Sequence, residues 1–121
     1  MKKVILSTLL LVFIIGFSAC EKIEIGKNIP KCIEKKIKKE EPMCLAFVGE
    51  YIYKNKGEIQ SRVYKFYYGL PACMLQEIVP PTYYDEQCNL IDVIINENGN
   101  IEYNNAIYRH NRYVYQYYEK K

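Results

Sequence analysis

Two lysines follow Met1, and residues 4–17 then run without a single charge before the pattern breaks into shorter apolar repeats. A basic start, an apolar run and an ending in the small residues Ser18 and Ala19 make the layout of a secretory leader. The run falls short of the ~20 residues that a membrane-crossing helix requires, so it reads as a cleaved leader and not as a permanent span. Further along, Ile29, Ile33 and Ile37 recur every fourth position, with Cys32 beside them and Lys35, Lys36, Lys38 and Lys39 mainly on the other side. This stripe predicts a helix capped by Asn28, with Pro30 in its first turn and Pro42 ending it. The lysines lie near the helix C-terminus, where the dipole favours positive charge, and read as a solvated face.

From Leu45 the pattern changes period. Residues 47–53 and 59–68, separated by Lys54-Asn55-Lys56-Gly57, predict a β-hairpin, with Gly57 supplying the turn geometry. In the second strand Tyr64, Phe66 and Tyr68 alternate with Val63, Lys65 and Tyr67, as in a sheet that buries mainly one face. Residues 69–81 connect, and Pro80-Pro81 opposes regular structure there. Residues 90–95 predict a third strand. Asn96-Glu97-Asn98-Gly99-Asn100 is the strongest turn signal in the chain, returning through residues 101–103. For residues 106–118 the alternation of Tyr113, Tyr115 and Tyr117 favours a strand, although Ile107, Val114 and Tyr118 also suit one helical face. The expectation is an α+β fold: one N-terminal helix packed on an antiparallel sheet of four to five strands.

The cysteines and the charge refine this picture. Phe17-Ser18-Ala19-Cys20 resembles the lipobox of bacterial lipoproteins, which implies cleavage before Cys20 and acylation of that cysteine. Residues 1–19 are then a signal peptide, 20–27 a lipidated tether and 28–121 a single domain of a size that supports one modest core. Loss of Lys2 and Lys3 with the leader leaves a net charge of about +1, so the mature chain has no electrostatic case for nucleic acid. Four cysteines remain, Cys32, Cys44, Cys73 and Cys88. An even count in a small exported chain predicts two disulfides. Three connectivities are open, and the local pairs Cys73–Cys88 and Cys32–Cys44 are preferred. The gaps between these cysteines are far wider than the Cys pairs of zinc sites, so no metal is expected.

The succession Ile29-Pro30-x-Cys32-Ile33 with Lys36-Ile37, then Val63-Tyr64, Cys73 and Tyr84-Asp85-x-x-Cys88-Asn89-Leu90-Ile91 resembles a family of small lipoproteins of Bacteroidota-type bacteria. The resemblance spans roughly residues 29–91. It implies a cell-envelope lipoprotein and assigns no activity.

No catalytic residue and no cofactor are expected. His110 is the sole histidine, in the polar run Tyr108-Arg109-His110-Asn111-Arg112, and reads as a surface histidine in a turn. Ser61 lacks the glycines of a nucleophile elbow, and Asp85, Glu86, Asp92 and Glu97 are scattered. There is no phosphate loop, metalloprotease helix or calcium loop. What stands out is thirteen tyrosines with no tryptophan, because Tyr combines large area with a polar tip and is favoured at interfaces. Tyr64, Tyr68, Tyr113, Tyr115 and Tyr117 form the candidate binding face. The expected function is a non-catalytic binding module of the envelope, held to the membrane through its N-terminal lipid and engaging an envelope protein, peptide or glycan. Its expected place is the outer membrane facing the periplasm, with surface display the other option. The alternative is a small periplasmic hydrolase-like or redox enzyme built on His110 or a free thiol.

Overall fold

The structure, a computed structural model, describes residues 25–75 and 77–117. The expected signal peptide, Cys20, the first part of the tether and Tyr118 lie outside the described residues. Helix α1 (Lys31–Glu40) runs into a short 3-10 turn (Glu41–Met43). Seven strands follow: β1 (Leu45–Asn55), β2 (Glu58–Tyr68), β3 (Thr82–Tyr84), β4 (Leu90–Ile91), β5 (Ile94–Ile95), β6 (Ile101–Tyr103) and β7 (Ala106–Gln116). They form one antiparallel sheet in the order β4-β3-β2-β1-β7-β6-β5. The expected α+β fold of one helix on four to five strands is thereby overturned. The molecule is mainly a curled, seven-stranded half-barrel with one short helix, because a three-residue strand follows Pro81 and the predicted strand over residues 90–95 is two strands.

Those two strands explain the curl. β4 and β5 lie at opposite edges of the sheet, yet only Asp92 and Val93 separate them in sequence. Three residue steps span ~11 Å at most, so at this corner the two edges must nearly meet. The side chains agree: Tyr83, Ile91 and Val93 from one flank and Tyr103 and Ala106 from the other pack around Val63, Ile101 and Tyr108 on the concave face.

The hairpins follow their turn residues. Asn55 pairs with Glu58 around Lys56 (φ 55) and Gly57 (φ 80), two left-handed positions of the kind that match the twist of flanking strands. In the other hairpin Asn96 Oδ1 accepts the amides of Asn98 and Asn100, each at 3.0 Å, and Gly99 takes the positive φ.

Ile33 and Ile37 bury α1 against Leu45, Val48, Tyr64, Phe66, Val114 and Tyr115 on the other, helix-bearing face. The expected Asn28 cap does not form: Asn28 adopts φ 62, Pro30 occupies the cap position, and the Pro30 carbonyl accepts the amides of Ile33 and Glu34. Seating the helix this way sets the disulfides. Cys32 meets Cys88 beyond β3, with Cα atoms 6.1 Å apart, and Cys44 meets Cys73, 5.4 Å apart. The preferred pairs Cys32–Cys44 and Cys73–Cys88 are thus replaced by long-range ones. The Ile stripe points Cys32 at the loop after Tyr84, while the start of β1 lies beside the end of β2, where the Gly69 amide donates to the Cys44 carbonyl at 2.9 Å. Two disulfides befit an oxidising, non-cytoplasmic setting. Among the described residues no helix is long and apolar enough to cross a membrane.

Candidate functional site

Past the packed cluster on the concave face, β1, β2 and β7 contribute a row of rings. Phe47 and Tyr67 are direct cross-strand partners, stacked with centroids 4.7 Å apart. Tyr113 meets Phe47 edge-on at 5.3 Å and His110 at 4.6 Å, and His110 in turn meets Tyr51 edge-on at 5.3 Å. Lys65 brings its ammonium to 5.9 Å from the Phe47 centroid. Gly49 sits beneath the row: a Cβ there would lie 3.3 Å from Tyr51 Cε1 and 3.5 Å from His110 Cδ2. A strand glycine thus lets two rings settle close to the backbone. Burial pushes the Tyr51 phenol above its ordinary value, with Tyr113 adding to the shift, and burial pulls the Lys65 ammonium below its own. Tyr113 remains 49% exposed, so the row is sheltered at its base and open at its top.

Two β-bulges in β7 decide which side chains reach this row. Glu50 pairs with Arg112 and Tyr51 with His110, which leaves Asn111 as an extra residue; Val48 pairs with Tyr115 and Gly49 with Tyr113, which leaves Val114 as another. Each bulge resets the two-residue alternation. Tyr113 and His110, three apart, share the concave face, whereas Tyr115 turns to the core beneath α1. Of the five tyrosines expected on one binding face, Tyr64 and Tyr115 are buried in that core, Tyr68 packs against it, Tyr117 is half-buried, and Tyr113 stands in the ring row. Phe47, Tyr51, Tyr67 and Lys65 join it from positions whose parity along β1 and β2 is opposite to that of Val48, Tyr64 and Phe66. His110 lies in a strand and not in a turn.

On the helix-bearing face the bulge at Asn111 has a second effect. Glu50, 1% exposed, accepts Asn111 Nδ2 at 2.7 Å, Arg112 Nε at 3.1 Å and the Tyr64 hydroxyl at 3.0 Å. Arg62 stands 4.0 Å away and pairs in turn with Glu86. Burial alone pushes the Glu50 carboxyl up, but the hydrogen bonds from Arg112, Asn111 and Tyr64, with the Arg112 charge, outweigh it and hold the carboxyl below its ordinary value. With every oxygen paired inside the fold, this carboxylate serves the structure.

The chemistry available at the row is limited. His110 touches aromatic rings, and no carboxylate pairs with it among the described residues. All four cysteines after Cys20 are in disulfides, so the described residues include no free thiol. An open hollow of about 640 Å³ lies between Ile52, Lys54, Asn105, Arg109, His110 and Asn111 at the hairpin end of the sheet, so His110 borders both it and the ring row. No family model, curated protein or solved structure matches the chain.

Proposed function

We propose that the protein is an exported, lipid-anchored binding module of the cell envelope, and that it acts through the concave aromatic row without catalysing a reaction. The observation that carries this reading is the row itself: rings from three strands, a lysine and a histidine, set over a strand glycine and open on one side. Aromatic side chains give large contact area with few torsions to freeze, so such a surface suits an envelope protein, a peptide or a glycan. The anchor rests on Phe17-Ser18-Ala19-Cys20 following an apolar leader, and two or more acyl chains on one cysteine hold a protein stably where a single chain does not. The outer membrane, periplasmic side, is the location that this anchor favours.

The test combines mass and capture. Intact mass of protein purified from membranes should match residues 20–121 plus acyl groups, and a Cys20→Ser variant should lose them. An immobilised wild-type protein should retain an envelope component that Tyr113→Ala and Tyr51→Ala variants, folded and with both disulfides formed, release. Equal retention by wild type and both variants, or turnover of a substrate dependent on His110, would overturn the reading.

A further inference from the structure

At one end of the sheet the connection between β2 and β3 projects apolar side chains into solvent. Met74 is 83% exposed and Ile78 97%, with Leu70 and Val79 beside them and Met43 alongside through the Cys44–Cys73 disulfide. Proteins seldom leave such a group of large apolar side chains open unless something covers it. The disulfide and the Gly69-to-Cys44 hydrogen bond fix this one to the ends of two central strands.

Two observations indicate what covers it. The first is the direction of the N-terminal chain. Arg112 donates to the Lys27 carbonyl and the Gly26 amide donates to the Val114 carbonyl at 2.7 Å, so from Lys27 back to Gly26 the chain advances along β7 toward Gln116. That is the end of the sheet where β1 begins, β2 ends and the apolar loop projects. Cys20 is five residues before Ile25, a reach of ~17 Å, and β7 is separated from β2 there by β1 alone, ~10 Å across. The second is charge: α1 carries exposed Lys35, Lys38 and Lys39 toward its last turn, which leads through Glu41–Met43 to Met43. Apolar tips with a lysine-bearing helix face behind them match the boundary of acyl chains and anionic headgroups, while Glu41 and Glu77 lie at the patch itself and Lys38 is paired with Glu34 at 3.2 Å.

We propose that this end of the molecule, Met43 with Leu70, Met74, Ile78 and Val79, seats on the surface of the bilayer that holds the N-terminal lipid. The inference rests on the reading of Cys20 as acylated. Seated so, the domain touches the membrane at two points and has a fixed orientation, with the Lys56-Gly57 turn at its far end.

The absence of tryptophan makes the test direct. Full-length protein carrying Ile78→Trp, or Met74→Trp as a second position, is purified from membranes and reconstituted in phosphatidylethanolamine and phosphatidylglycerol vesicles whose acyl chains carry bromine. Ile59→Trp, at the opposite end of β2, is the reference. The expected result is about twofold quenching at positions 78 and 74 and none at 59. Acylated protein whose tryptophans at 78 and 74 are quenched no more than that at 59 overturns bilayer contact, returns the patch to protein docking and leaves the anchor standing. The mass of the same sample reads acylation separately. If that mass shows no acyl group the anchor is overturned, and quenching of the unacylated protein added to the vesicles still decides for or against contact.

Discussion

Glu50 shows how much one side chain decides in this molecule. It occupies an inward position of β1 between Val48 and Ile52, where the alternation calls for an apolar residue, and it is tolerated because Arg112, Asn111 and Tyr64 all reach it. Glu50→Gln keeps the shape and removes the charge, and it should destabilise the fold by about 2 kcal/mol, the scale of hydrogen bonds to a charged partner, read as a lowered urea midpoint. The pH response follows from the sign of the shift. The carboxyl is held below its ordinary value in the fold, so its contribution is present above pH ~4.5 and is lost as pH falls through the folded value. Stability curves of wild type and Glu50→Gln should therefore converge in acid. Tyr68 and Tyr115 act at the other limit. Burial raises both phenols to about 12, against ~10 in an unfolded chain. Their contribution is complete below pH 10 and lost as pH rises from 10 to 12. Urea midpoints measured across that window should fall for wild type and fall less steeply for Tyr115→Phe.

Elements with local punctuation were legible in the sequence, and elements that depend on a long-range irregularity were not. The Ile stripe of α1, the hairpin around Lys56-Gly57, the Asn98-Gly99 turn and the strand after Ala106 all follow from periods and turn residues within a dozen positions. The bulges at Asn111 and Val114 carry no local signature beyond polar Asn111-Arg112 in the middle of a strand. Because a bulge inverts parity for everything after it, the alternation of Tyr113, Tyr115 and Tyr117 pointed to a common face that the strand does not present. Gly49 within an apolar strand was the one local hint of the ring row. The turn of the first hairpin offers a test at this scale. Lys56 holds φ 55, a left-handed position that Asn adopts more readily than Lys, so Lys56→Asn should raise stability by about 0.5 kcal/mol, seen as a higher thermal midpoint with an unchanged fold.

For the molecule as a whole, the disulfides join parts that the sheet alone leaves separate. Cys32–Cys88 closes a loop of 56 residues and Cys44–Cys73 one of 29, which by chain entropy contribute about 4 kcal/mol each, the longer slightly more. Non-reducing peptide maps should show these two cross-links. Replacing Cys32 and Cys88 together with Ala should cost about 3–4 kcal/mol in a domain whose total stability is of the order of 5–15 kcal/mol. The same connectivity explains why topology was hidden in the sequence: residues 90–95 look like one strand, and only the curl of the sheet makes them the last strand of one edge and the first of the other. The hop through Asp92 and Val93 has one more consequence. Both edge strands are two residues long and share a corner, so the open ladder lies elsewhere: on residues 58–63 of β2, because β3 pairs only with Tyr64–Phe66, and on residues 109–113 of β7, because β6 pairs only as far as Tyr108. A β protein crowded among its own copies would take on a foreign strand along those two stretches, and not at the short outermost edges.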